Sequence, residues 1–183
     1  MSGKTVIMDE AVIKRTIVRM ANDILEKNNG TDKLCIIGIR TRGVYLAERI
    51  ADYIEQNENC ALPRGILDIT FHRDDLGFNL SLPEIKNSDI PFDIDGKTIL
   101  LVDDVLYTGR TIRAAIETVM DFGRPEKIKL AVLIDRGHRE LPIAADYTGK
   151  YIPTSGEETV SVSLKEFDGE DCVTILKPDK KSN

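Results

Sequence analysis

The stretch Thr98-Ile99-Leu100-Leu101-Val102-Asp103-Asp104-Val105-Leu106-Tyr107-Thr108-Gly109-Arg110-Thr111 decides how the chain is read. Thr98 to Val102 is an apolar run without alternation, which predicts a strand buried on both faces. Two carboxylates, Asp103 and Asp104, end it. Small and hydroxyl residues then lead into a helix over Thr111 to Phe122, closed by Gly123 with Pro125 beyond. The first N–H groups of a helix have no intrahelical partner, and the helix dipole favours an anion there. Gly109 lets the backbone approach a guest closely. The hydroxyls of Thr108 and Thr111 add hydrogen bonds. Val105, Leu106, Tyr107, Thr108, Gly109, Arg110 and Thr111 are therefore expected to cradle a monophosphate.

Adjacent carboxylates repel phosphate but accept hydrogen bonds from two neighbouring hydroxyls. The 2′- and 3′-hydroxyls of a ribose lie at a suitable distance from its 5′-phosphate. Asp103 and Asp104, followed by the phosphate cradle, thus read as a ribose-5-phosphate site; a carboxylate pair that merely caps a turn is the plain alternative. A nucleoside triphosphate site is not indicated. The chain has no Gly-x-x-x-x-Gly-Lys-[Ser/Thr] loop and no Gly-x-Gly-x-x-Gly after a strand.

Working outward, Asp9 is placed to cap a helix whose apolar residues Ile13, Ile17, Met20 and Ile24 repeat at helical spacing, with Gly30 to close it. Leu34 to Ile39 reads as a second buried strand, Gly38 to Gly43 as a tight turn, and Ala47, Ile50, Ala51 and Ile54 as one face of a second helix. Gly65 to Phe71 alternates as a strand does. Residues 72–91 lack periodicity, and a loop that long in a compact domain is functional or mobile. Ile128 to Ile134 predicts a further strand ending in Asp135. Arg136 to Pro153 reads as irregular, and Thr159 to Leu164 and Cys172 to Leu176 as short final strands. This alternation implies an α/β fold, a mainly parallel central sheet flanked by helices. Ligands in such sheets sit beyond the carboxyl ends of the strands.

The chain has 183 residues, 42% of them hydrophobic and 31% charged, enough for one ordinary core without staples. A single domain over residues 1–177 is expected, with a disordered polar tail at 178–183. The formal net charge of −6 excludes the overall basic field of many nucleic-acid binders. No stretch approaches the roughly 20 apolar residues of a membrane span, and Met1 to Asn22 lacks a signal-peptide core, so a cytoplasmic protein with no membrane partner is expected. Cys35, Cys60 and Cys172 form no Cys-x-x-Cys pair and read as reduced thiols.

Ile99 to Thr111 resembles the signature of the type I phosphoribosyltransferases. The turn Gly38-Ile39-Arg40-Thr41-Arg42-Gly43, the run Phe71-His72-Arg73-Asp74-Asp75 and the segment Asp135 to Pro142 are similar to those of one branch of that family, the bifunctional pyrimidine-operon attenuation regulators that are also uracil phosphoribosyltransferases. The likeness runs from Met8 to about Ile175. It implies a type I phosphoribosyltransferase fold with a small hood at about 136–158 and a flexible loop at about 72–91. It also implies a glycosyltransferase that converts uracil and 5-phosphoribosyl diphosphate to UMP and diphosphate, with Mg²⁺ as cofactor. On this resemblance Asp103, Asp104 and Arg73 serve catalysis. Arg40, Thr41 and Arg42 bind diphosphate, Arg136 and Val160 read the base, and Asp135 orders the metal's water shell. Purine transferases carry an aspartate at the place of Tyr107, so Tyr107 argues against a purine.

The resemblance further implies UMP-dependent binding to the leader of pyrimidine-operon mRNA, transcription attenuation, and a homodimer or higher homo-oligomer. Lys14, Arg15, Arg19, His138 and Arg139 are the candidate RNA contacts. Arg15 and Arg19 share a helical face. Val18 and Ala144 depart from the branch, which commonly has threonine and arginine there. An RNA-binding regulator with vestigial enzyme activity, and a phosphoribosyltransferase for another base, remain the alternatives.

Overall fold

The computed structural model describes residues 3–69 and 88–177; Arg73, most of the expected loop and the tail 178–183 lie outside them. The elements are β1 (Lys4–Met8), α1 (Glu10–Asn28), β2 (Leu34–Ile39), α2 (Arg42–Glu58), β3 (Arg64–Leu67), β4 (Thr98–Leu106), α3 (Arg110–Met120), β5 (Lys127–Asp135), β6 (Tyr147–Tyr151), β7 (Thr159–Ser163), α4 (Lys165–Asp168) and β8 (Cys172–Leu176). Five strands form a parallel sheet in the order β3-β2-β4-β5-β6, and three form an antiparallel sheet in the order β1-β8-β7.

The central strands read as apolar runs because both their faces are covered. Leu34, Ile36, Leu100, Val102, Ala131 and Leu133 face a core shared with Ile13, Ile17 and Ile24 of α1 and Leu46, Ile50 and Ile54 of α2. Their sequence neighbours Cys35, Ile37, Ile99, Leu101, Leu130 and Val132 face a second core with Ile112, Ala115 and Val119 of α3. The period of two survives; apolar residues fill both halves of it. Val160, Val162 and Val173 of the smaller sheet join the first core.

α1 begins as expected, with the Asp9 carboxylate accepting from the Val12 N–H at 2.8 Å. It closes at Asn29, left-handed at φ 54°, just before Gly30. β4 differs from expectation: it does not stop at Val102 but stays paired with β5 as far as Leu106 opposite Asp135. The expected irregular stretch Arg136 to Pro153 contains β6, paired parallel to β5. An edge strand with one buried residue, Tyr147, needs no apolar run, so the sequence Tyr147–Tyr151 carries little signal. β1 and α4 escape notice for the same reason. At the other edge, β3 starts at Arg64, and Asp89 exchanges both backbone hydrogen bonds with Ile66, at 2.7 and 2.8 Å. The last residues assigned to the loop therefore belong to the sheet edge. The residues expected as a hood, 136–158, hold β6 and lead into β7, the edge of the smaller sheet.

Candidate active site

Strands β2, β4 and β5 end side by side, and each hands its chain to a loop at the same edge. At that edge lies a cavity of about 460 Å³. Val105 to Ile112 line it, with Arg136, Glu140 and Val160. Val105 to Thr111 of the expected ribose-phosphate residues thus share one cavity with Arg136 and Val160, the residues expected to read the base, whereas Asp103 and Asp104 do not line it.

α3 opens at Gly109, whose φ of 94° favours glycine. The Thr108 hydroxyl accepts from the Arg110 N–H at 3.3 Å. The Thr108 carbonyl accepts from the N–H groups of Glu140 and Leu141, at 2.9 and 3.1 Å, so the segment after β5 is fastened onto the phosphate turn. Across the mouth, Arg110 Nε donates to Glu140 Oε2 at 2.7 Å. Glu140 and Ile112 were not foreseen as lining residues.

Asp103 is buried and Asp104 half-buried. Asp103 Oδ1 accepts the Asp104 N–H at 2.9 Å, and Asp104 Oδ1 accepts the Val105 N–H at 2.8 Å. Loss of hydration raises the Asp104 carboxyl above its ordinary value. Its hydrogen bonds to Asp103 and Val105 and the charge of Arg42 oppose that rise without cancelling it.

The turn after β2 folds back tightly. A methyl group on Gly38 would overlap the backbone of Val44, and one on Gly43 would overlap the Val102 carbonyl. Both glycines are close-approach positions, which brings the start of α2 against β4 beside Asp103. The Arg40–Thr41 peptide bond is cis. Arg40 N–H donates to the Leu67 carbonyl, and its Nε lies 3.9 Å from Asp68 Oδ2. Thr41 is exposed at the cap position of α2. Arg42 forms a two-point pair with Asp168 of α4, at 2.9 and 2.6 Å. Asp168 also was not foreseen; its separation from Arg42 in the chain leaves no local signal.

Arg136 is buried. It donates to Thr154 Oγ1 at 3.2 Å and to the carbonyls of Ser155 at 3.4 Å and Glu158 at 2.7 Å. Its guanidinium lies 3.9 Å from the centre of the Tyr107 ring. It therefore ties the segment before β7 to the cavity wall. Asp135 has protein partners on both oxygens: Oδ1 accepts the Gly137 N–H at 3.0 Å and Oδ2 pairs with Arg139 at 2.5 Å. Arg139 also donates to the carbonyls of Ile143 and Tyr107. Its guanidinium thus serves the loop around Asp135. His138 is exposed, with Nε2 2.5 Å from the Thr154 carbonyl. Lys14, Arg15 and Arg19 are exposed on α1, and Arg19 donates to the Thr148 and Gly149 carbonyls of β6. Arg19 thus contacts β6 and His138 the segment after it.

Among the described residues no group of three or more His, Cys, Asp or Glu side chains is arranged to hold a metal ion. The donors present fit a cation that arrives on substrate oxygens, beside Asp103 and Asp104, better than one caged by protein ligands.

A family model described as phosphoribosyl transferase domain matches residues 7–166. The chain is 55% identical over 174 residues to the Bifunctional protein PyrR of Pelotomaculum thermopropionicum, covering 95% of this chain and 96% of that protein. It is 56% identical over 175 residues to the protein of the same name from Caldicellulosiruptor bescii, covering 96% of each. Among solved structures, the hypoxanthine phosphoribosyltransferase of Trypanosoma cruzi superposes with a TM-score of 0.70 at 18% identity, covering 96% of this chain and 97% of that one. The hypoxanthine phosphoribosyltransferase of Staphylococcus aureus gives 0.70 at 21%, covering 96% of this chain and 93% of that one. The match over most of the chain places the protein in the phosphoribosyltransferase family.

Proposed function

We propose that the protein transfers a phosphoribosyl group from 5-phosphoribosyl diphosphate to uracil, releasing UMP and diphosphate, and that it regulates pyrimidine genes by UMP-dependent binding to an mRNA leader. The observation that carries the enzymatic reading is the single cavity in which the phosphate turn Thr108–Thr111 meets Arg136 and Val160. A nucleoside monophosphate spans such a space from phosphate to base.

In the reaction the bond between ribose carbon 1 and diphosphate breaks as the uracil nitrogen forms its bond to that carbon. The uracil proton is lost, and positive charge develops on the sugar ring. Asp103 and Asp104 hold the two ribose hydroxyls and favour that charge. The N–H groups at Gly109 to Thr111 fix the 5′-phosphate. Arg40, Thr41 and Arg42, on the turn before α2, bind the leaving diphosphate. Mg²⁺ carried on the substrate would neutralise that diphosphate. Val160 and the backbone around it offer the base an apolar wall, and Arg136 holds that wall in place. Tyr107, stacked on Arg136, supplies no carboxylate, which suits uracil better than a purine. The rate gain required of the protein is then mostly positioning and fixed charge.

The regulatory role is supported by the bifunctional name of the relatives and by the exposed Lys14, Arg15 and Arg19. Single-stranded RNA would be gripped through phosphates by these cations and His138. None of the described helices is long and apolar enough to cross a membrane. A homodimer, or a larger assembly of the same chain, would enlarge the basic surface.

Diphosphate release from 5-phosphoribosyl diphosphate and Mg²⁺, with uracil present or absent, tests the enzyme. Uracil-dependent release, not elicited by hypoxanthine, is the expected result; no release above background defeats it. A gel shift with pyrimidine leader RNA at low salt, strengthened by UMP, tests the regulator.

A further inference from the structure

α4 is a single turn after β7, and it meets the start of α2 through charged side chains and the Phe167 ring. Asp168 sits at its end, before Gly169 in the left-handed conformation. Asp168 Oδ2 accepts the Leu164 N–H at 2.8 Å and Arg42 Nε at 2.9 Å, while Oδ1 accepts Arg42 Nη2 at 2.6 Å. The carboxylate is thus fixed by its own backbone before it meets the arginine. Phe167 closes the other side, its ring centre 5.4 Å from the Arg42 guanidinium. Seven residues on, which is about two helical turns along the same face, Arg49 pairs with Glu166 and Asp171 at 2.6 and 2.7 Å. The α2 face that carries Arg42 is therefore clamped to the segment following Val160.

We infer that Asp168 is a positioning residue: by holding the Nε–Nη2 edge of Arg42 it presents that guanidinium, already oriented, to the diphosphate of the substrate. The inference rests on the reading of Arg40 to Arg42 as the diphosphate turn. A free arginine side chain loses rotamer entropy when it is immobilised. A fixed carboxylate takes most of that loss at folding instead of at binding, which is how preorganisation raises affinity. The same pair links the seating of the leaving group to the chain segment that walls the base site. Asp168 touches no reacting atom, so it should act on diphosphate affinity and not on the chemical step.

The test compares Asp168→Asn, Asp168→Glu, Arg42→Ala and the Asp168→Asn/Arg42→Ala pair. Binding of Mg²⁺-diphosphate and of UMP is measured by calorimetry, with KM for 5-phosphoribosyl diphosphate and kcat by diphosphate release. Asparagine can still accept the Leu164 N–H, so the turn keeps its cap. Asp168→Asn should weaken diphosphate binding and raise that KM about fivefold, with kcat and UMP affinity little changed. Asp168→Glu should recover much of the loss, and Asp168→Asn should add nothing once Arg42 is alanine. If Arg42→Ala weakens diphosphate binding while Asp168→Asn leaves it equal or tighter, Asp168 does not position the arginine. A loss of UMP affinity as large as the loss for diphosphate marks a general structural defect and equally overturns the inference. If Arg42→Ala itself leaves diphosphate binding intact, the diphosphate turn is what fails, and the inference fails with its premise.

Discussion

Two carboxylates side by side within a buried strand are costly unless something arrives to use them. Asp103 accepts the Asp104 N–H and Asp104 the Val105 N–H on one oxygen each, and in the proposed function the pair also accepts the sugar hydroxyls. A hydrogen bond to a charged group contributes about 1.5–3 kcal/mol. Replacing either aspartate by asparagine should therefore weaken UMP binding on the order of ten- to a hundredfold, measured by calorimetry; retained affinity in the double variant would remove the ribose site. The raised Asp104 carboxyl adds a pH dependence. The folded chain keeps this proton at a pH where the unfolded chain, near the ordinary value of about 3.9, has already released it. Asp104 thus favours the fold fully below the unfolded value and loses that contribution as pH rises through the folded one. In the proposed function ribose binding uses the ionised pair, so UMP affinity should fall on acidification at a pH above the ordinary aspartate range. Asp104→Asn should remove that limb of the pH profile.

At the level of elements, the turn between β2 and α2 decides how closely α2 approaches β4 beside Asp103. A methyl group on Gly43 would overlap the Val102 carbonyl and come within 3.1 Å of Asp103 Cα, both backbone atoms that cannot swing aside. Gly43→Ala should destabilise the protein by about 1–3 kcal/mol, read by urea unfolding, and should weaken UMP binding because the displaced backbone carries Asp103. Loss of stability with full UMP affinity would show that α2 yields without moving β4. The spacing Gly38 to Gly43 announced a tight turn in the sequence; that it presses on β4 is a tertiary fact invisible there. Likewise Leu34–Ile39 and Cys172–Leu176 were legible to the residue, because burial on the sheet imposes apolar character. β6 was not, since Tyr147 alone of its residues is buried. The strand β4 and the glycine turn that opens α3 were readable as a local pattern of apolar residues, carboxylates, glycine and hydroxyls. Glu140 and Asp168 reach the site from elsewhere in the chain, and no local pattern marks them.

At the scale of the whole molecule, the two sheets share one core through Val160, Val162 and Val173, and a charged knot on the outside reinforces the join. Arg49 of α2 donates two hydrogen bonds to Asp171 and two to Glu166, while Asp171 also accepts the Lys165 N–H. These bonds pull the Asp171 and Glu166 carboxyls below their ordinary values, with the Arg49 bond the largest cause in each. Asp171 is nearly enclosed, at 7% side-chain exposure, whereas Glu166 at 36% is screened by solvent. Most of the benefit should therefore come from the Asp171 arm. Groups whose folded values are depressed stabilise the protein above the unfolded value, about 4, and lose that contribution as pH falls through the folded value. Arg49→Met, which keeps much of the apolar stem, should cost about 1–3 kcal/mol at neutral pH. The difference from the unsubstituted protein should shrink as both carboxylates protonate below about pH 4. Urea unfolding across that range measures it. A difference that stays constant with pH would mean that Arg49 joins the sheets by packing, and that charge contributes little to holding the smaller sheet over the site.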